Sequence, residues 1–168
     1  LALKMSKKDK EDARRIYGMV TNIDDNVGKV LNKLTELGIE EDTIIIFMTD
    51  NGPQQFRYNS NMKGLKGTVY NGGTRVPFYI KYAGRFKNSK VINRMSAHID
   101  VLPTILELCN LNVPNDRKID GQSLVPLINS KTFNDRYLFS YWTRRFPEKY
   151  INMSIQNDNY KLVGNNDF

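Results

Sequence analysis

A single cysteine, Cys109, stands among the 168 residues. It excludes an intrachain disulfide and argues against a thiolate metal cluster. No apolar run approaches the roughly 20 residues that a bilayer crossing needs. The opening "LALKMSKKDKEDARR" turns charged too soon for the apolar region of a secretory signal. Internal repeats and low-complexity tracts are also missing. The chain starts without an initiator Met and stops just after a strand-like pattern in "KLVGNNDF", so it is expected to be a piece of a longer protein.

What is present is enough for one cored domain and too little for two ordinary ones: 40% hydrophobic and 11% aromatic residues. Basic residues outnumber acidic ones, 25 to 18, for a formal net charge of +7. Such a balance favours acidic partners such as nucleic acid, anionic lipid, or sulfated and phosphorylated molecules. A Lys-rich solvated surface accounts for it equally well.

From Ser6 to Leu37 apolar residues recur at Ala13, Ile16, Tyr17, Val20, Ile23, Val27, Val30, Leu31, Leu34 and Leu37. Spacings of three and four predict a long amphipathic helix. Ser6 with Asp9 gives an N-cap signal, and Gly38 is placed to end the helix in a left-handed conformation. "TIIIFMT" over 43–49 reads as a strand buried on both faces. A helix followed by such a strand predicts an α/β layer. Between Asp50 and Thr74 no period survives, and long loops of this kind are often functional. "RVPFYIKYA" resumes strand character, with Pro77 favouring an edge or a strand start. "HIDVLPTILELCNL" predicts a second helix with Asp100 as N-cap and Pro103 in its first turn. "RYLFSYW" and "YINMSIQNDNYKLV" are strand-like, the latter as two strands around Asn157 and Asp158. A boundary near 130–134 divides an α/β part, 1–130, from an incomplete antiparallel element, 131–168.

The chemistry concentrates in "MTDNGPQQFRYNSNMKGLKGTVYNGG", 48–73. Asp50 and Asn51 follow directly on the strand, at the end where ligands bind in open α/β sheets. A carboxylate followed by an amide carbonyl offers hard oxygen donors suited to Ca²⁺ or Mg²⁺. Asp-Asn-Gly-Pro is also ordinary turn chemistry, and both readings stand on these four residues. Arg57, Lys63 and Lys66 lie among glycines that allow the backbone close to a ligand. A metal beside a lysine is the pairing an oxyanion ester needs, because both oppose the negative charge that builds up on it. The loop does not match the phosphate-binding pattern G-x-x-x-x-G-K-[ST].

In order, "YGMVTNIDDNVGKVLNKLTELGIEEDTIIIFMTDNGP", "MKGLKGTVYNGGTRVPFYIKY", "HIDVLPTILELCNL" and "DGQSLVPLI" resemble the consecutive C-terminal blocks of the type I sulfatases, in the alkaline phosphatase superfamily. The specific part is the ordered set T-D-N-G, then K-G-x-x-Y-x-G-G-x-R-x-P, then H-x-D-x-x-P-T. The resemblance implies the C-terminal part of a mixed, mainly parallel α/β sheet flanked by helices. A small antiparallel subdomain would begin after it. It implies hydrolysis of sulfate esters by a formylglycine made from cysteine or serine. It assigns calcium ligation to Asp50 and Asn51, with Mg²⁺ as the alternative ion, and contact with the sulfate group to Lys66 as a catalytic, substrate-binding residue. Asn71 stands where family members often carry Glu. On family grounds the substrate would be a sulfated small molecule or carbohydrate and the compartment periplasmic, extracellular or lysosomal. The remainder of a sulfatase chain would be the partner, with no nucleic acid and no membrane span.

The family's nucleophile lies in C-x-P-x-R or S-x-P-x-R, and neither is found. Cys109 has Leu111 and Val113 at the Pro and Arg positions. Ser140 has Arg144 in place but Trp142 where proline belongs. The formylglycine is therefore expected on polypeptide outside this chain, which should be inert by itself. His98 reads as a helix-start or packing residue. Asp24 and Asp25 point about 100° apart on a helix and read as solvated or capping rather than as a metal pair. Cys109 reads as a small core residue. Trp142 is either sheet packing or a stacking platform for a sugar ring. Two other readings remain: a fragment of a related phosphodiester or phosphonate hydrolase, and a noncatalytic basic module binding acidic polysaccharide or nucleic acid.

Overall fold

Ser6 and Asp9 cap each other at the start of the longest element. Asp9 N donates to Ser6 Oγ at 3.1 Å, and Ser6 N donates to Asp9 Oδ2 at 3.2 Å. An exchange of this kind contributes about 1 kcal/mol. It opens α1, Lys7–Glu36, in a computed structural model that describes residues 5–87, 89–146 and 148–164. Past its end Gly38 has φ +68°, the left-handed conformation expected of it. The apolar stripe is there, but of its members only Ala13 is buried. Tyr17, Val20 and Val30 keep 52%, 54% and 59% of their surface exposed.

After a short 3₁₀ turn, Glu40–Asp42, comes β1, Ile45–Met48, paired antiparallel with β2, Phe78–Lys81. The register sets Ile45 opposite Lys81 and Met48 opposite Phe78. β2 starts immediately after Pro77, as proline's missing donor predicts. The expectation of a strand buried on both faces is corrected. Ile45 and Ile46 are half-buried, while Phe47 and Met48 are exposed. Among the described residues β1 has one strand neighbour, and a strand is covered only by what packs on its two faces. The aperiodic stretch between the strands ends in one helical turn, α2, Asn71–Thr74.

Two compact units are distinguished: Leu1–Asn88 with Tyr141–Met153 and Val163–Phe168, and Ser89–Ser140 with Ser154–Leu162. In the second, the turn His98–Asp100 leads into α3, Val101–Leu108, and α4 covers Val125–Ile128. Pro103 lies in the first turn of α3, where its missing N–H costs nothing. Asp100 does sit at the N-cap position, but its carboxylate does not cap the helix. Fully buried, it accepts from Ala97 N at 2.7 Å, from Gln122 N at 2.9 Å, and from both terminal nitrogens of Arg136. The guanidinium supplies the opposite charge a buried carboxylate requires, which outweighs a capping bond. Thr104 Oγ1 donates to Asp100 O at 2.6 Å and accepts from Leu124 N at 2.9 Å. The blocks "HIDVLPT" and "DGQSL" are thus tied to each other. Cys109, expected in the core, is instead exposed at the C-cap of α3, where its N still donates to Ile105 O at 2.9 Å.

β3, Leu138–Tyr141, β4, Met153–Gln156, and β5, Lys161–Gly164, form a three-stranded sheet in that order. Asn157 makes the tight turn between β4 and β5: its N donates to Tyr160 O at 2.9 Å, and its Oδ1 accepts from Asn159 N and Tyr160 N. The α/β class with a small antiparallel element is what the chain shows. No helix among the described residues is long and apolar enough to cross a membrane.

Candidate active site

Two polar stretches far apart in the loop after β1 are folded onto one another by their backbones. Gly52 N donates to Gly73 O at 2.9 Å, Lys66 N donates to Pro53 O at 2.8 Å, and Gly72 N donates to Lys63 O at 2.7 Å. Glycine is what lets the chains approach this closely. A methyl on Gly52 would lie 1.8 Å from the Gly72 carbonyl oxygen, and Gly52 is itself buried. The D-N-G-P turn and the K-G-x-x-Y-x-G-G loop therefore form one backbone-bonded assembly, although no sequence period links them.

Asp50 is exposed and Asn51 half-buried at the end of β1. Asp50 Oδ1 accepts from Asn51 N at 2.9 Å, a local turn bond. Asn51 Nδ2 donates to Gly52 O at 2.8 Å. With that nitrogen engaged, the amide atom left for a ligand is Oδ1, so the pair presents a carboxylate and an amide oxygen. This donor chemistry fits a hard divalent cation such as Ca²⁺ or Mg²⁺. Two residues fall short of the six to eight oxygens Ca²⁺ takes. Among the described residues no group of three or more His, Cys, Asp or Glu could hold a metal. Asp24 and Asp25 lie exposed on α1, and His98 is exposed in the turn before α3.

The three cations singled out in this loop differ in their commitments. Lys63 Nζ sits 4.2 Å from the centroid of the Tyr70 ring. Arg57 Nη1 donates to Gln55 Oε1 at 3.3 Å. Lys66 is exposed and enters no ion pair or ring contact among the described residues. Its backbone N is bonded to Pro53 O while its side chain is exposed.

Two residues that sequence reasoning did not place here also touch the loop. Asn152 Nδ2 donates to Gly67 O at 3.0 Å and to Trp142 O at 2.9 Å, and its Oδ1 accepts from Val69 N at 3.3 Å. Trp142 lies just past β3, not within it, and a methyl on Gly67 would be 3.2 Å from its Cζ2. The indole borders Gly67 while 42% of the residue's surface stays exposed, with the Arg144 guanidinium 5.6 Å from its centroid. Asn152 follows Gly67 by 85 residues, and no local pattern signals such a contact.

Comparison with known proteins agrees with the block order. The sulfatase family model matches residues 4–111, and the model for the C-terminal part of N-sulphoglucosamine sulphohydrolase matches residues 65–166. N-acetylgalactosamine-6-sulfatase of Canis lupus familiaris is 36% identical over 132 residues, covering 74% of this chain and 25% of the relative. The uncharacterized sulfatase YdeN of Escherichia coli K12 is 29% identical over 154 residues, covering 89% of this chain and 27% of the relative. The chain thus spans about a quarter of the length of these curated relatives. Among solved structures, Ps i-CgsB superposes with a TM-score of 0.77 at 24% identity, covering 98% of this chain and 36% of that one. A protein solved in complex with its substrate D-glucosamine-2-N,6-O-disulfate gives a TM-score of 0.59 at 25% identity, covering 89% and 31%. With the family model matched over residues 4–111, a stretch that takes in α1 through α3, this chain belongs to the sulfatase family.

Proposed function

We propose that this chain supplies one side of a sulfate ester hydrolase site, and that the other side, including the nucleophile, comes from further sulfatase polypeptide. The observation that carries the reading is the backbone bond between Lys66 and Pro53, which ties the lysine loop to the turn bearing Asp50 and Asn51. Asp50 and Asn51 would hold Ca²⁺ through a carboxylate and an amide oxygen. Bound there, a divalent cation polarises the sulfate oxygens. Lys66 would donate from its ammonium to a sulfate oxygen, where negative charge accumulates as the ester bond breaks. The formylglycine that family members use belongs to C-x-P-x-R or S-x-P-x-R, and no stretch of this sequence carries either. Alone, the chain is therefore inert.

The exposed stripe of α1 supports the partner. Tyr17, Val20, Ile23 and Val30 form an apolar face of the kind soluble chains cover, and the remainder of a sulfatase polypeptide is the occupant that fits. For substrate we favour a sulfated amino sugar. Support comes from relatives named N-acetylgalactosamine-6-sulfatase and from the solved protein whose substrate is a disulfated glucosamine.

Sulfate release from 6-O-sulfated N-acetylhexosamine tests the proposal, assayed with this chain alone and with a longer polypeptide that also carries C/S-x-P-x-R. Release is expected from the longer polypeptide only. Turnover by the 168-residue chain alone would overturn the shared-site reading. No release from any sulfated hexosamine by the longer polypeptide would overturn the substrate class.

A further inference from the structure

We infer that Asn152 is a positioning residue for Lys66, acting through the backbone on the C-terminal side of that lysine. The inference rests on the proposed role of Lys66 at the sulfate group.

A carboxamide has two N–H donors and one oxygen acceptor in a plane, and Asn152 commits both ends to this task. Its nitrogen bridges the carbonyls of Gly67, at 3.0 Å, and Trp142, at 2.9 Å. Its oxygen takes the amide of Val69 at 3.3 Å. Gly67 and Val69 are the first and third residues after Lys66, so one side chain grips the segment of loop leading away from the lysine. The other side is gripped by Lys66 N on Pro53 O at 2.8 Å.

Four further features describe a joint made for this loop. Asn152 is itself at φ +47°, a left-handed conformation that asparagine tolerates better than most residues. Its own carbonyl accepts from Trp142 N at 3.1 Å, so Asn152 and Trp142 are bonded reciprocally. Gly67 has φ +82°, and a methyl there would meet the Trp142 ring at 3.2 Å, so the indole closes against a backbone with no side chain. Val69, whose amide Asn152 receives, is 2% exposed. The segment bearing Lys66 is thus clamped at both ends while its ammonium stays exposed.

The prediction concerns turnover, because a misplaced lysine loses charge stabilisation that matters most as the ester breaks. In the longer sulfatase polypeptide containing this chain, Asn152→Gly keeps the positive φ and removes the amide. We expect kcat on 6-O-sulfated N-acetylhexosamine to fall on the order of tenfold to a hundredfold, with a smaller change in KM. Asn152→Asp keeps an acceptor for Val69 but faces two carbonyls with an oxygen, and should fall at least as far. If Asn152 acts through Lys66, the double variant Asn152→Gly/Lys66→Ala turns over no more slowly than Lys66→Ala. Amide hydrogen exchange at Val69 should accelerate in Asn152→Gly. Additive losses in the double variant, wild-type kcat in Asn152→Gly, or unchanged exchange at Val69 would each overturn the inference and leave the reading of Lys66 standing. Full activity in Lys66→Ala would overturn that reading and the inference with it, and the two failures are therefore told apart.

Discussion

Gly52 donates its amide to the carbonyl of Gly73 at 2.9 Å, joining the turn that follows β1 to the one helical turn that precedes β2. The bond brings the two ends of a long irregular segment together across the mouth of the β1–β2 pair. It also leaves little room for a side chain, since a methyl on Gly52 or on Gly73 would lie within 2.3 Å of backbone oxygen.

Gly52→Ala should therefore destabilise the fold around the loop. The added methyl would lie 1.8 Å from Gly72 O, which is backbone and cannot swing aside. We expect a loss of about 3 kcal/mol, read as a lower midpoint in chemical unfolding. Gly28→Ala is the control: it meets nothing within 4 Å on α1 and should be neutral or slightly stabilising. Equal stability of the two variants would contradict the close packing described.

Asp50→Ala in a longer sulfatase polypeptide should abolish activity by removing a calcium ligand. Titration calorimetry of the metal-stripped protein should show weaker Ca²⁺ binding than wild type. Equal affinity in both would refute the ligand assignment of Asp50.

Lys66→Ala should leave Ca²⁺ affinity as in wild type and lower kcat by roughly a hundredfold or more, the usual scale for losing one charge-stabilising donor. Lys63→Ala, which removes a cation already placed over Tyr70, should cost far less. A reversal of that ranking would move the sulfate contact from Lys66 to Lys63.

Arg136→Met should be strongly destabilising, because it leaves the fully buried Asp100 carboxylate without its counter-charge. Breaking a buried pair from one side costs about 3–5 kcal/mol. Replacing both members, as Asp100→Asn with Arg136→Met, should recover part of the loss. Thermal unfolding of the two variants checks this, and a double variant no better than the single would show that the pair's charges do not set the cost.

Much of the fold was legible because it is local. Ser6, Asp9 and Gly38 bound α1 where capping chemistry says they should, and Asn157 turns β4 into β5 through its own side chain. The order of the blocks was also readable, and with it the family. The misreadings concern burial. The spacing of α1 and the apolar run of β1 report which face can be buried, not whether anything covers it, and Val20 and Phe47 are exposed in this chain. Cys109 belongs with them: apolar neighbours in sequence did not bring cover, and the thiol at the C-cap of α3 is exposed. Asp100 was placed correctly at a helix start, but its carboxylate went to a partner 36 residues away.

By itself, then, the sequence determined the two longer helices, the Asn157 turn and the candidate chemistry, since capping, periodicity and hard oxygen donors are properties of residues a few positions apart; the single-turn helices α2 and α4 it did not announce. It named Asp50, Asn51 and Lys66 without any means of showing what holds them. Only the tertiary structure decided that. Backbone bonds from Gly52 to Gly73 and from Lys66 to Pro53, and the Asn152 side chain closing on Gly67 and Val69, all depend on chain segments distant in sequence. Hydrogen-bond partners of a loop without a period are set by what the rest of the fold brings within about 3 Å of it, and no spacing along the chain encodes that distance.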